Sequence, residues 1–301
     1  MPEGSATQST GQRFLMGRTL RLFLRDRVTV FATVVFLLFM FVAVMAPLLA
    51  PFTERELAGI PLQPPSGAHW FGTDELGRDI FSRVLYGART SLTVGVLASV
   101  ISLLIGMPWG LLSGFYGSWA DAASMRLTDA LLAFPGIILA LAVVAVAGPS
   151  TVNLVIAIGV IQAPRFTRLI RGEVLSLRER DFVAAARSFG ATNLFIIRRA
   201  ILPNVVPIAT VQFTLTFATA VLIEASLSYL GLGVQPPTAA WGGMLQTARS
   251  FMAQSPTYSI FTGGAIFLTV LSLSLIGDAL RDAVDPRQLT SGARKLVRQS
   301  V

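Results

Sequence analysis

Few side chains in this sequence could carry covalent or metal chemistry. The 301 residues include no cysteine, a single histidine (His69) and a single lysine (Lys295). These counts exclude a thiol nucleophile, a disulfide, a zinc–thiolate site and a metal site built on paired histidines. Lys295 follows no glycine-rich loop, so the phosphate-binding loop of an ATPase is absent too. These counts exclude much of the list of enzyme classes, and any ATP that drives the chain must bind to another chain.

One carboxylate interrupts an otherwise apolar stretch. Glu224 separates the charge-free segments 200–223 and 225–248, so it would lie well inside a membrane-spanning helix. A carboxylate at that depth is costly and is by default a candidate for function. The alternative is a structural hydrogen bond near the outer end of the helix. The sequence leaves both roles open.

The elements that position these residues are predicted to be helices in a membrane. The chain is 53% hydrophobic and 13% charged, and its mean hydropathy is +0.67, whereas soluble domains carry about 25% charged residues. A membrane span needs about 20 consecutive apolar residues. We therefore expect an all-α polytopic membrane protein.

Charge-free stretches between ionisable residues predict six spans. Gly148-Pro149-Ser150 divides the stretch 130–164 into two helices, and glycines and prolines break the stretch 225–248 after its start, leaving the rest as loop. Pro108 and Pro135 are expected to kink their helices. The six spans cover roughly 28–50, 90–112, 127–147, 151–169, 205–230 and 259–281.

The arginines predict the topology. An even number of spans puts both termini on one side, and that side holds most of the 24 lysines and arginines, so the N- and C-termini are expected to be cytoplasmic. The net charge of +8 follows this topology and needs no nucleic-acid partner; the expected surroundings are membrane lipid. Residues 1–12 are expected to be disordered, and 13–27 form either an interfacial helix or merely flanking charge. A membrane domain over 13–288 and a cytoplasmic tail over 289–301 complete the chain.

Glycines at every fourth position mark one face of the second span. These residues are Gly106, Gly110 and Gly114. Such a face lets two helices approach closely. It is expected to pack either within the helix bundle or against a partner chain.

Two polar segments between spans carry recognisable patterns. In the cytoplasmic loop 165–204, Gly190 is expected to end a short helix, and Thr192 to cap a second helix, 193–202, that ends at Pro203. In the external segment 51–89, Asp74 is expected to cap a helix that lies on the outer surface and leads into the second span. A bend presented to the cytoplasm can dock into a partner and transmit motion.

The cytoplasmic loop resembles the EAA loop of ABC importer permeases, which forms the coupling helix that sits in a groove of the ATPase subunit. The sequence departs from the family pattern at Ala184, where glutamate is usual, and at Ala200, where isoleucine is usual. The missing carboxylate puts a charged contact to the ATPase in doubt, though not the docking geometry. The match rests on Asp181, Ala185, Ala186, Gly190, Leu202 and Pro203.

The external segment 69–83 resembles that of dipeptide, oligopeptide and nickel permeases, and 228–237 and 277–286 are similar to other segments of this family. The resemblance covers about 13–288 and is to the second permease type of such pairs. The residues of the external motif are Gly72, Thr73, Asp74, Gly77, Arg78 and Asp79.

The resemblance implies an ABC importer permease fold in a bacterial or archaeal cell membrane. It also implies that the chain is no enzyme and holds no cofactor or metal of its own. The implied partners are a second, different permease subunit, two ABC ATPase subunits that hold ATP and magnesium, and an external substrate-binding protein. Peptides are the expected substrate, and nickel or another small solute is an alternative that a chain with one histidine and no cysteine favours less. Two alternatives remain. One is an ion-coupled transporter or channel, which should carry several charged residues inside its spans, whereas this chain offers only Glu224 there. The other is an intramembrane enzyme.

Overall fold

The structure, a computed structural model, describes residues 26–284 apart from the side chain of Ala120. These residues form ten α-helices and one π-helical segment, with no strand among them beyond an isolated bridge between Thr73 and Asp79. The expectations for 1–12, for most of 13–27, for 289–301 and for the end of the 277–286 motif lie outside the described residues. The helices are α1 (Arg27–Leu49), α2 (Ile80–Tyr116), α3 (Ser118–Ala133), α4 (Gly136–Ala147), α5 (Thr151–Arg178), α6 (Asp181–Ser188), α7 (Asn193–Ile196), α8 (Leu202–Tyr229), α9 (Trp241–Ser250) and α10 (Pro256–Val284), with the π-helical segment at Ile197–Ile201.

The helices are long and apolar enough for five or six membrane spans. Helices α1, α2, α5 and α10 are each long and apolar enough for one span. Helix α7, the π-helical segment and α8 are together long enough for another. The pair α3 and α4, which bend by 91° at their junction, makes a sixth span if the two helices cross the membrane together. The prediction of a continuous helix over 127–147 is therefore wrong. Pro135 has no N–H to donate and keeps Phe134 extended (φ −89°, ψ 139°), so the helix breaks there and does not merely kink.

Helix α2 is one continuous helix of 37 residues, about 55 Å long at 1.5 Å per residue. The external helix expected to lead into the second span, and that span, expected at 90–112, are parts of this one helix, which Pro108 does not end. The prediction that Asp74 caps the helix is wrong. Asp79 is the N-cap, and its Oδ2 accepts a hydrogen bond from the backbone N–H of Ser82 at 2.8 Å.

The most extensive helix contact in the described chain joins α2 to α5. The glycine face of α2 makes this contact, so it packs within the chain. A Cβ atom at Gly110 would lie 2.7 Å from the carbonyl oxygen of Thr167, and one at Gly114 would lie 2.9 Å from that of Arg171. Gly106 packs in the same way against Ala163 and Phe166. The two backbones can come this close only because these positions carry no side chain.

Helix α9 lies in the part of 225–248 that is predicted to be loop, so that prediction is wrong. Trp241 begins the helix, is fully buried, and donates from its indole N–H to the carbonyl oxygen of Val84 at 3.0 Å. Gly242 follows inside the helix, and a Cβ atom there would collide with the backbone of Ala225 in α8. The glycine therefore serves close helix packing here, which a rule treating glycine as a helix breaker misses.

Candidate functional site

The loop between α5 and α8 turns sharply at Gly190. Gly190 has a φ of +77°, and its N–H donates to the carbonyl oxygen of Arg187 at 2.9 Å while the N–H of Ala191 donates to that of Ala186 at 3.0 Å. This is the Schellman pattern that closes a helix at a left-handed residue. A Cβ atom at Gly190 would meet nothing within 4 Å. The backbone conformation, and not space, therefore demands glycine.

The second half of the loop runs without interruption into helix α8. The Thr192 hydroxyl accepts a hydrogen bond from the N–H of Phe195 at 3.4 Å and caps α7, as predicted. The predicted end at Pro203 is wrong: α7 passes through the π-helical segment directly into α8. Pro203 lies in the first turn of α8, where a residue without an N–H is tolerated.

One side of the loop is fastened to the helix bundle. Val183, Ile196 and Ile201 are fully buried in a cluster with side chains from the ends of α2 and α5. Arg178 donates to the carbonyl oxygen of Gly114 at 3.1 Å, and the Arg187 guanidinium lies 5.8 Å from the centre of the Phe115 ring. A force on the loop would therefore reach α2 and α5 through packed side chains.

The opposite side of the loop exposes large apolar side chains. We call these residues the loop patch: Phe182 (43% exposed), Phe189 (91%), Leu194 (61%) and Phe195 (54%). The sequence analysis missed them, although four bulky apolar residues within a polar segment between spans are an unusual signal. Several large apolar side chains exposed on one short loop are typical of a protein-binding site.

The residues of the predicted loop motif divide between the two sides. Asp181, Ala185, Gly190 and Pro203 are exposed. Ala186 and Leu202 are half-buried and pack against the cluster that fastens the loop. The structure thus brings the motif together around one bend, with some residues holding the bend and others facing solvent.

The predicted external motif folds into a compact, hydrogen-bonded segment around the start of α2. We call this segment, residues 69–83, the knot. The buried Asp74 carboxylate accepts from the backbone N–H and the Nε of Arg78, at 2.9 and 2.6 Å, and lies 3.4 Å from the Nε of Arg83. Arg78 also donates to Glu75 at 2.8 Å. Burial, and next the charge of Asp74, raise the pKa of the Glu75 carboxyl above its ordinary value.

The second carboxylate of the motif joins the knot to α2. Asp79 accepts from the Ser82 hydroxyl at 2.7 Å, and its other oxygen lies 3.0 Å from Nδ1 of His69, which is buried. Thr73 exchanges hydrogen bonds with the chain around Gln63. Gly72 and Gly77 sit so close to neighbouring backbone that neither leaves room for a Cβ atom. The described residues include no group of three or more histidine, aspartate or glutamate side chains placed to hold a metal.

Glu224 is fully buried near the end of α8. One of its carboxylate oxygens accepts from the Ser228 hydroxyl at 2.8 Å, and the other makes no hydrogen bond within the described chain. Ser228 in turn accepts from the backbone N–H of Val234 at 3.2 Å, which ties the following loop to the helix. The sequence leaves a functional and a structural role open for Glu224, and both roles stay predictions.

Comparisons with known proteins cover most of the chain. The family model of the binding-protein-dependent transport system inner membrane component matches residues 106–290, more than half of the chain. A second family model, the N-terminal TM domain of oligopeptide transport permease C, matches residues 15–65.

Curated relatives align over nearly their whole length. The glutathione transport system permease protein GsiD of Pectobacterium atrosepticum is 45% identical over 269 residues, which is 89% of each chain. The dipeptide transport system permease protein DppC of Alkalihalophilus pseudofirmus is 45% identical over 264 residues, 87% of each chain. Among solved structures, an inward-facing MetNI methionine ABC transporter matches 67% of this chain and 96% of its own with a TM-score of 0.56. At 19% identity, that last likeness speaks for the fold alone.

Proposed function

Because the chain belongs to the family of binding-protein-dependent transport system inner membrane components, we propose that it forms half of the pathway by which an ATP-driven importer moves di- and oligopeptides. The chain is a permease subunit of an ABC importer, a multi-pass protein of a bacterial or archaeal cell membrane, and it is not itself an enzyme. Such a subunit works with ATPase subunits and a substrate-binding protein. In our proposal the full assembly has a second, different permease subunit and two ATPases, which hold ATP and magnesium.

The proposed topology places both termini and the loop patch in the cytoplasm. Five arginines, from Arg178 to Arg199, lie in the segment that joins the end of α5 to the start of α8, as the positive-inside rule expects for a cytoplasmic loop. The knot over 69–83 and helix α9 then lie outside, where a substrate-binding protein has access.

The observation that carries the proposed function is the loop patch on a bend that is fastened to the bundle. Its apolar side chains are 43–91% exposed in the described chain, and a groove in an ATPase subunit would bury them. Closure of the ATPase pair on ATP would then pull the loop, and the buried cluster would pass that movement to α2 and α5. ATP can switch the pathway between two conformations only if it binds more tightly to the assembly in one conformation than in the other.

The peptide part of the proposal rests on relatives whose names specify glutathione and dipeptides. Both compounds are short peptides with a free carboxylate. Nothing in the composition of this chain favours a bare soft metal over them, since it has one histidine and no cysteine.

The test is reconstitution of the complex with its partner subunits in liposomes, followed by ATP-dependent uptake of a labelled tripeptide. Leu194→Ser removes part of the loop patch, and Leu57→Ser, which alters a similarly exposed leucine (71%) in the external segment, is the matched control. Burial of a leucine contributes about 1.5–3 kcal/mol, so Leu194→Ser is expected to weaken ATPase binding by roughly 10- to 100-fold.

Leu57→Ser should leave ATPase binding unchanged. Equal co-purification of the ATPase with both variants would contradict the docking role of the loop. Uptake that needs no ATPase would contradict the importer itself and favour an ion-coupled transporter.

A further inference from the structure

A cleft of about 720 Å³ opens between three helices of the described chain. Leu132 of α3 forms one wall, Ile208 and Gln212 of α8 form the second, and α5 forms the third. The α5 wall carries charge of both signs. Arg165 and Arg168 line the cleft on one side of Gly172, and Glu173 lies just past that glycine.

The spacing of these charges follows from the helix. Positions 165, 168 and 172 follow one another at three and four residues, so they share one face of α5. Glu173 is turned about 80° around the helix from Arg165 and borders the same cleft. At 1.5 Å per residue, Glu173 stands about 8 Å along the axis from Arg168 and about 12 Å from Arg165. An extended peptide covers about 3.3–3.6 Å per residue. Two or three residues therefore match the distance between the positive and the negative group.

The charges are available to a ligand. Among residues 26–284, neither Arg165 nor Glu173 has an opposite charge within ion-pairing distance. The one ion pair of Arg168 among residues 26–284 is with Asp129, and both side chains of that pair are more than half exposed. Exposed pairs of this kind contribute about 0–1 kcal/mol, so a carboxylate from a ligand could replace Asp129 at little cost.

We propose that this cleft is a transient site for a short zwitterionic peptide in the translocation pathway, and this rests on the proposed function. The C-terminal carboxylate binds at Arg165 and Arg168, and the N-terminal ammonium binds at Glu173. Charged side chains within spanning helices characteristically face water-filled cavities or each other. A few exposed charges hold a ligand weakly, which suits a site that must release its cargo.

The test uses the absence of cysteine in this chain. Gly172→Cys places one thiol in the cleft wall, where a Cβ atom meets nothing within 4 Å, and Gly67→Cys places one in equally open space in the external segment. The nucleotide-free complex in nanodiscs is labelled with N-ethylmaleimide, with and without ~10 mM tri-alanine. A site with a Kd of about 1 mM would slow labelling of Gly172→Cys by about tenfold. Labelling of Gly67→Cys should not change.

Further variants identify the charged groups that bind the peptide. In the Gly172→Cys background, Arg165→Gln should remove most of the protection, whereas Arg126→Gln, an exposed arginine outside the cleft, should keep it. N-acetyl-tri-alanine amide, which lacks both terminal charges, should protect poorly.

A lipid phosphate could occupy the same arginines. The labelling is therefore repeated in nanodiscs of phosphatidylcholine alone and of phosphatidylcholine with phosphatidylglycerol. Protection by phosphatidylglycerol without peptide, or no protection by tri-alanine in either lipid, would overturn the peptide site. ATP-dependent uptake by the unaltered complex tests the proposed function separately, so a failed site can be told from a failed importer.

Discussion

Gly190 closes helix α6 with a backbone conformation that side-chain-bearing residues rarely adopt. Its φ of +77° costs roughly 1–2 kcal/mol for an ordinary L-residue, more for a β-branched one, and less for asparagine. Because a Cβ atom there would touch nothing within 4 Å, any effect of substitution reports the backbone alone.

Gly190→Val is therefore expected to uncouple transport from ATP hydrolysis while membrane insertion stays intact, and Gly190→Asn should retain most coupling. The measurement is peptide uptake per ATP hydrolysed in reconstituted complexes. Equal behaviour of the two variants would show that the left-handed turn is not what couples the loop to the ATPase.

Asp74 is the residue on which the external knot depends. Its buried carboxylate faces two buried arginines, so its removal leaves Arg83 with no carboxylate partner among the described residues and Arg78 with Glu75 alone. Breaking a buried pair on one side typically costs about 3–5 kcal/mol, whereas an exposed pair contributes about 1 kcal/mol or less.

We expect Asp74→Asn to lower the thermal unfolding temperature of the purified chain by several degrees and Asp129→Asn, in an exposed pair, to leave it nearly unchanged. Thermal unfolding in detergent, followed by loss of the monodisperse peak, measures both. A similar small effect from both variants would mean that the knot is not held by its charges.

At the scale of elements, the pairing of α2 with α5 is set by the glycine face. A methyl group at Gly110 would press on the backbone of Thr167, which cannot rotate away as a side chain could. Overpacking of this kind typically costs about 1–3 kcal/mol. At Gly264 of α10 a methyl group meets nothing, and alanine there gains up to about 1 kcal/mol of helix propensity.

Gly110→Ala should thus destabilise the chain and Gly264→Ala should not, although both replace a helical glycine in a span. Unfolding temperature and resistance to limited proteolysis are the measurements. If Gly110→Ala were as stable as the wild type, close approach of α2 and α5 would not be the reason for glycine there.

The sequence predicts the helices that hydrophobicity alone defines. It fails where proline or glycine occurs in a helix, because tertiary packing decides whether the helix continues there. The first span, expected at 28–50, lies at Arg27–Leu49, because only its apolar length matters. Pro135 breaks a helix that hydrophobicity alone would continue, and Gly242 continues one that composition alone would break. A motif search does not find the loop patch, because its residues differ from other apolar residues in their exposure and not in their type.

At the scale of the whole molecule, the proposed mechanism depends on which end of the bundle faces the cytoplasm. The loop patch and the knot over 69–83 must lie on opposite sides of the membrane, because one is proposed to meet ATPases and the other lies where an external binding protein would dock. The cysteine-free chain lets single thiols report this directly. Ser188→Cys marks the exposed end of α6, and Gly67→Cys marks the exposed part of the external segment.

With a membrane-impermeant thiol reagent, we expect Gly67→Cys to be labelled when the reagent is added to the outside of the membrane, and Ser188→Cys only after the membrane is made permeable. Labelling of Ser188→Cys from outside would reverse the orientation and put the loop patch beyond the reach of ATP. The loop would then need a partner outside the cell, and the coupling proposed here would fail even though the fold is that of an importer permease. Orientation is therefore the property of the whole chain on which the roles of its individual residues depend.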